Sequence, residues 1–322
     1  MRIAVIDTDG VIYRSAAASE KRTVLVTHNP TGIQKEFKTR TEFRDMLKLK
    51  LKSDKEHEYT FEDVQTPEPI ENCLHTVNSQ MKKIKDKTAA DVCVYVVGGE
   101  FNFRDCLLLP SKYKGHREDM LTPVYRKQAK EYVINKFNAE VTLGEESDDA
   151  VIYKGYELQK AGHEVVVVSM DKDSLQADGL TLFDFSTDKY TENTDHWFKT
   201  EKKNKVNKPY GSGVGFLAYQ LCCGDTSDHY KPTELCGAKY GVMSFAKDVA
   251  DCKTAEDYLK VVVQKYKEWY PEPITYTAWN STVVTKDWKG MLDLYFKTAY
   301  MKRTKDDKSC SIEFFGKYGV DL

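Results

Sequence analysis

Apolar and polar positions along this chain follow two rhythms. Short β-branched runs read as buried strands: residues 2–6 (RIAVI) ending at Asp7, 23–27 (TVLVT) before His28-Asn29-Pro30, and 92–97 (VCVYVV) before Gly98-Gly99. Residues 164–168 (EVVVV), ending on Ser169, and a short stretch near 180–183 read the same way. Pro67 and Pro69 introduce a helix over 70–85, where Ile70, Leu74, Val77, Met81 and Ile84 keep the helical period. Further helices are expected over 123–137 and between the acidic cluster at 146–149 and Gly162. Between Gly32 and about Lys55, charges alternate with Phe37, Phe43, Met46, Leu47, Leu49 and Leu51, which suits a surface helix or an excursion with one apolar side.

This alternation predicts an α/β core over 1–186, with a mostly parallel central sheet and helices on both faces. Residues 100–117 fit neither period and are rich in basic and aromatic groups. The polar tract 187–208 carries Lys199, Lys202, Lys203, Lys205 and Lys208. It reads as a lysine-rich linker or solvated loop, or, if functional, as a segment lying along phosphates. From Pro209 the pattern breaks into short helical pieces, 214–222, 233–240, 243–249 and 255–270, forming a helical region over 209–270. Residues 271–322, with Trp279, Trp288, Tyr295 and Phe296, read as an extension wrapping back on the body.

Composition narrows the class. A chain of 322 residues with 41% hydrophobic and 30% charged residues is ordinary for a soluble globular protein of one or two domains. A formal charge of −2 favours no polyanionic partner by itself, although clustered acids can mask lysines gathered elsewhere. No apolar run approaches the ~20 residues that cross a bilayer, and the N-terminus is a strand pattern rather than a signal peptide, so no membrane partner is expected. The 8 cysteines include no CxxC pair and read as reduced cytoplasmic thiols.

Acids recur at strand ends. Asp7, Glu100, the cluster Glu146, Asp148 and Asp149, and the pair Asp171 and Asp173 all fall at or just beyond predicted strands. Asp225 and Asp228 follow a helical piece. Single acids of this kind form turns or cap helices, as Asp148 can. So many on one sheet edge repel one another and raise each other's pKa, a penalty that divalent cations remove. Mg²⁺ suits loosely distributed carboxylates, and paired ions suit phosphodiester hydrolysis.

In order along the chain, Asp7 with Tyr13-Arg14, Phe103-Arg104 with Pro110 and Tyr113-Lys114-Gly115-His116-Arg117, Glu146-x-Asp148-Asp149, Ser169-x-Asp171-x-Asp173 with Gln176, and Asp225 with Asp228 resemble the motifs of the 5′-nuclease family. That family includes phage 5′→3′ exonucleases, flap endonucleases and the nuclease domain of bacterial DNA polymerase I. The resemblance runs over residues 3–240 and implies a PIN-like α/β fold with a helical duplex-binding region. It implies a hydrolase dependent on two Mg²⁺ ions, with Mn²⁺ as substitute, cutting at or near 5′ ends of DNA as an exonuclease or flap endonuclease, with RNA–DNA hybrid a second substrate. One ion would be held by Asp7, Glu146 and Asp148 with Asp149 close by, the other by Asp171, Asp173, Asp225 and Asp228. Lys114 and Arg117 would lie at the base of an arch over 100–125 and offset charge on the scissile phosphate, with Tyr113 stacking on the terminal base. Arg14, Arg104, Lys112, Lys202, Lys203, Lys205 and Lys239 are the expected nucleic-acid contacts. Replication proteins are possible further partners, and the phage likeness points to a host cytoplasm.

Two departures stand out. The family's acid after the strand before Phe-Arg is Val97 here, and the nearest acid is Glu100. After Asp228 the family has a glycine-rich hairpin; this chain reads HYKPTELCGAKYG, which leaves that hairpin's monovalent-cation site in doubt. Two rival readings remain. Asp7-Thr8-Asp9-Gly10-Val11 resembles the nucleophile motif of haloacid-dehalogenase-type phosphatases, with Asp7 as nucleophile and Asp9 as acid/base, but that scheme leaves the other acids without roles. The other rival is a non-catalytic DNA-binding protein on a nuclease-like fold.

Overall fold

Valine and isoleucine are stiff at χ1 and favour pleated backbone, and their runs here form the strands that place the acids. The computed structural model describes residues 1–51, 55–118 and 120–322. In order, the elements are β1 (Arg2–Asp7), α1 (Asp9–Ala18), β2 (Glu20–His28), β3 (Ile33–Phe37), α2 (Arg40–Leu51), β4 (Tyr59–Pro67), α3 (Ile70–Thr88) and β5 (Val92–Val97). Then follow α4 (Arg126–Phe137), β6 (Glu140–Val141), α5 (Ser147–Lys160), β7 (Glu164–Val168), β8 (Thr181–Asp184), β9 (Lys189–Glu192), β10 (Trp197–Lys203) and β11 (Val206–Ser212). The chain ends with α6 (Gly213–Cys223), α7 (Val242–Asp248), α8 (Ala255–Trp269), β12 (Ile274–Thr277), β13 (Val283–Lys286), α9 (Trp288–Ala299) and α10 (Ser311–Lys317). Among the described residues no helix is long and apolar enough to cross a membrane.

Two compact units result. Met1–Asp9, Lys83–Asp119 and Asn138–Leu322 form one, Gly10–Lys82 and Met120–Phe137 the other. The larger unit has mixed α/β architecture around a sheet ordered β6-β5-β1-β7-β8-β9, parallel except for β9. Ile3, Val5, Val96, Val165 and Val167 pack with Val151 and Tyr153 of α5, while Ala4, Ile6, Val166 and Val168, of opposite parity, are equally buried. Register sets the site: Asp7 pairs with Val96, and Ile6 with Val168. Asp7, Gly98 and the residues after Val168 therefore share one carboxyl-end edge, where open α/β sheets place their ligands.

A second core in this unit joins α6, α8 and α9, with Leu217, Leu221, Leu259, Val262, Tyr266, Tyr295 and Phe296 buried. The smaller unit has a sheet ordered β3-β2-β4. There Phe43 of α2 packs edge-on against Phe37, Tyr59 and Phe61 at 4.8–5.4 Å between ring centres.

Several expectations need correction. The excursion after Gly32 contains β3 and α2, and β4 beyond it carries no clear period; residues 52–54, residue 119 and the side chains of Leu49 and Leu51 lie outside the described residues. The segment over 100–125 contains single 3-10 turns at Phe103–Cys106 and Gly115–Arg117 and, among the described residues, no helical arch. The lysine-rich tract is not a linker: β10 and β11 form an antiparallel ribbon closed by Asn204 and Lys205, both with positive φ, as a two-residue hairpin turn demands. Residues 233–240 form a turn followed by irregular chain rather than a helix.

The ribbon's base lies on α6, where a Cβ on Gly215 would come 2.4 Å from the Trp197 carbonyl oxygen. The neighbour is backbone and has no rotamer to give. Gly215→Ala should therefore cost about 2–3 kcal/mol, read as a lowered urea midpoint; an unchanged midpoint would mean the ribbon does not press on α6 there.

Candidate active site

The candidate site is built from carboxylates delivered by separate stretches of the larger unit. Asp7 is buried at the end of β1, and its Oδ1 accepts from Asp9 N at 3.1 Å. Burial first, and then the neighbouring Asp9, push its pKa up to about 7. Asp148, in the first turn of α5, is pushed well above the ordinary carboxylate range by burial and then by Asp7, Asp171 and Glu146. Its buried Oδ1 has no hydrogen-bond donor. Asp171 caps the 3-10 turn Lys172–Gln176, accepting from Asp173 N at 2.9 Å, and this turn aims Asp173 inward. Asp173 is also raised, by burial and then by Asp171, Asp228 and Asp225.

A tight loop supplies the last pair. Backbone bonds of 3.1 Å in both directions between Asp225 and Tyr230 close it. Gly224, at φ 74°, turns the chain where a Cβ would meet Tyr230 O at 2.4 Å. Asp228 is raised by burial, although Lys114 opposes the shift. The electrostatic links run from Asp7 through Asp148 and Asp171 to Asp173, Asp225 and Asp228, and from Asp228 to Glu146. They form one field along the sheet edge.

Cations sit inside that field. Lys114, in the left-handed region at φ 52°, places Nζ 2.5 Å from Glu146 Oε1 and 3.6 Å from Asp228 Oδ1. Burial would raise Glu146, yet Arg104 and Lys114 hold it below its ordinary value. Lys172, between the two acids of its motif, stands 2.8 Å from Asp225 Oδ2. Burial of Asp225 is likewise outweighed by Lys172 and Ser227, and its pKa is lowered. Arg117 donates to Asp228 Oδ1 at 3.2 Å and to Ser227 O at 2.6 Å.

The structure corrects several expected roles. Asp149 is not available to an ion: Arg104 clamps it through Nη1–Oδ2 at 2.6 Å and Nη2–Oδ1 at 3.1 Å, and Lys302 N donates to it at 3.0 Å. Arg104 is accordingly no nucleic-acid contact. It is buried, and it also donates to Thr298 O and Tyr300 O. Tyr113 is 4% exposed and offers no face to a base; its hydroxyl lies between Glu146 Oε2 at 2.9 Å and Asp228 Oδ2 at 3.0 Å, donating to one at a time. Glu100 is exposed, and no hydrogen bond or ion pair ties it to the other acids among the described residues. The space beside Gly98 belongs to Asp9, whose Oδ2 accepts from Gly98 N and Ser147 Oγ, both at 2.9 Å. Lys202, Lys203 and Lys205 are exposed on the ribbon, Lys239 is exposed in an irregular segment, Lys112 is half-buried, and Arg14 is exposed on α1 of the other unit.

Sequence reading missed Gln220, which is buried and donates to Asp173 Oδ1 at 2.7 Å while accepting from Gln176 at 2.6 Å. An amide in an otherwise apolar helix, α6, was the available signal. Glu145, paired with Lys302 Nζ at 2.9 Å, gave none.

The donor set is all carboxylate oxygen, which suits a hard ion such as Mg²⁺ rather than zinc. Among the described residues, however, no three His, Cys, Asp or Glu side chains already converge on an ion position. Lys114 and Lys172 lie against carboxylates that would do so. Asp7, Asp148 and Asp173, raised by burial and by neighbouring acids, are groups that a divalent ion would relieve.

No protein-family profile matches this chain, and neither does any curated protein. Among solved structures it is similar to a T5 protein co-crystallised with metal ions, at 14% identity over 84% of this chain and 86% of that one, with a TM-score of 0.48. It is similar also to a mutant T5 5′-exonuclease, at 13% identity over 94% and 87%, TM-score 0.48. A bacteriophage T5 flap endonuclease in a pseudo-enzyme–product complex with DNA and metal ions aligns at 14% identity over 84% and 86%, TM-score 0.49.

A raised carboxyl pKa makes the folded state hold a proton that the unfolded chain releases, so its stabilising contribution is lost as pH rises from about 4 to about 7. In chelator, Asp7→Asn should gain stability relative to the parent between pH 5 and 7.5, on the order of 2 kcal/mol by urea denaturation. A difference that does not change with pH would show that Asp7 ionises freely.

Proposed function

We propose that this protein is a divalent-metal-dependent hydrolase of nucleic-acid phosphodiester bonds, acting at or near 5′ ends of DNA. One observation carries the reading. Separate strands, helices and loops bring Asp7, Glu146, Asp148, Asp171, Asp173, Asp225 and Asp228 into one electrostatic field, with Lys114 and Arg117 set among them. The sequence resemblance supports the 5′ polarity and the choice of DNA, with RNA–DNA hybrid as a second substrate.

In this reading Asp7, Glu146 and Asp148 would hold one Mg²⁺, and Asp171, Asp173, Asp225 and Asp228 a second, with Mn²⁺ able to substitute for either. Bound there, the ions supply Lewis-acid stabilisation of phosphate charge and an activated water. The chain's own groups do the rest. Gln220 orients Asp173, and the Arg104 clamp on Asp149 fixes the start of α5, so Glu146 and Asp148 are held in place. Tyr113 bridges the two halves of the site and helps space Glu146 from Asp228. Lys114 and Arg117 are the cations that can turn from carboxylates to the scissile phosphate and offset the charge that grows on it.

The ribbon β10–β11 supplies a second group of exposed cations. Lys199, Lys202, Lys203, Lys205 and Lys208 are exposed on it, with Glu201 the acid among them. Such a strip follows phosphates without reading bases.

The decisive assay uses 5′-labelled duplex and flap DNA with Mg²⁺: short labelled products should appear and EDTA should abolish them. Asp171→Asn and Asp173→Asn should remain folded and lose about 100-fold or more in rate, on the scale of lost charge stabilisation in a transition state. Turnover of small phosphomonoesters without DNA cleavage would overturn the reading in favour of a phosphatase built on Asp7 and Asp9. Replacing Lys202, Lys203 and Lys205 by Gln should weaken duplex binding and flatten its salt dependence by about 0.9 log units for each phosphate no longer neutralised. An unchanged salt slope would remove the ribbon from the DNA surface.

A further inference from the structure

The hairpin β12–β13 has no part in the site so far, yet it is fastened to the segment that carries Lys114. Successive carbonyls of that segment are taken by the hairpin. Trp279 Nε1 donates to Leu107 O at 2.9 Å, Tyr276 Oη to Leu108 O at 2.7 Å, and Trp279 N to Leu109 O at 3.0 Å. The turn at its tip is closed by Ala278 N to Thr282 O at 2.8 Å and Ser281 N to Ala278 O at 2.9 Å. Trp279 is therefore held rigidly, although its side chain could have been buried and is instead 36% exposed.

Its surroundings are basic and aromatic. The Lys112 ammonium lies over one face of the indole, 5.0 Å from its centre, and is also paired with Glu118. His116 and His229 are exposed and meet edge to face with ring centres 5.3 Å apart. His229 Nδ1 is 3.2 Å from Lys112 O, an acceptor, so in this contact Nδ1 carries the proton. Gly115 permits this approach, since a Cβ there would stand 3.0 Å from Lys112 Cβ and 3.7 Å from His229 Nδ1. Arg117 continues the strip to Asp228 and hence to the carboxylates.

We infer that Trp279, with Lys112 over its ring and His229 and His116 next along from Lys112, is a stacking platform for unpaired bases of a single-stranded nucleic acid whose backbone runs on to Lys114 and Arg117. Both N–H groups of Trp279 are spent on carbonyls and Lys112 lies over one face, so the exposed part of the indole offers ring surface and no donor to a base edge. Binding is therefore by stacking and independent of base identity. The lysine and the imidazoles supply the contacts a phosphate backbone needs. The interior of a duplex cannot use this platform, because its bases are already stacked on both faces.

The inference rests on the nucleic-acid reading above, and one set of measurements separates the two. A fluorescent oligothymidylate about 20 nucleotides long, and the same backbone with abasic sites throughout, are titrated in EDTA with the full-length protein and its Trp279→Ala and Trp279→Phe variants. Trp279→Ala should weaken the thymidylate complex about 10-fold and the abasic complex less than about 2-fold, and Trp279→Phe should retain most of the affinity. Equal losses on both oligonucleotides, or no loss on either, would overturn the platform while leaving phosphodiester hydrolysis untouched. The expected selective loss in a protein that never cleaves DNA would uphold the platform and overturn the hydrolase. Absence of binding by the parent protein to either oligonucleotide would overturn both.

Discussion

Carboxylate repulsion at one edge of a parallel sheet is the constraint from which the rest of the site follows. A sheet of this order brings the ends of β1, β5 and β7 together, and here those ends carry or lead into acids. Water cannot screen Asp7 or Asp149 at their depth, so each must hold a proton, meet a cation, or remain costly. The chain uses all of these outcomes. Asp149 has its arginine, Glu146 its lysine, and Asp225 the lysine from the neighbouring turn. Asp7, Asp148 and Asp173 are left with raised pKa values.

This division explains why similar residues differ in role. Asp148 and Asp149 are adjacent on α5, but a helix turns about 100° per residue, and they face different surroundings. Asp149 points to Arg104 and becomes part of a buried pair that holds the start of the helix. Asp148 faces Asp7 and stays raised although Lys114 opposes the shift. Lysines at 114 and 172 then act as internal counter-ions, placed where a divalent ion or a phosphate would compete with them.

Much of the scaffold was legible locally. β5 matches its predicted range, and α3 extends its predicted helix by one turn, because β-branched runs and an apolar stripe report period directly. The basic tract at 199–208 misled for a related reason. Its exposed, charged residues carry no apolar alternation, and only the cross-strand ladder with its positive-φ turn makes it a ribbon. The strand β4 is hidden likewise, since its sequence alternates weakly and its order comes from pairing with β2.

By itself the sequence determined where β1, β5 and β7 end, that acids follow them, and the order in which basic and aromatic residues are interposed. Those are local properties, set by side-chain stereochemistry and by what can lie beside what along a short stretch. Only the tertiary structure decided which acids keep their charge. It buried Tyr113 between Glu146 and Asp228, set Arg104 on Asp149, filled the space beside Gly98 with Asp9, and pinned Trp279 to Leu107 and Leu109. The physical reason is that burial and Coulombic interaction act through space. A residue's charge and reach depend on partners far away in the chain, and no local pattern encodes them.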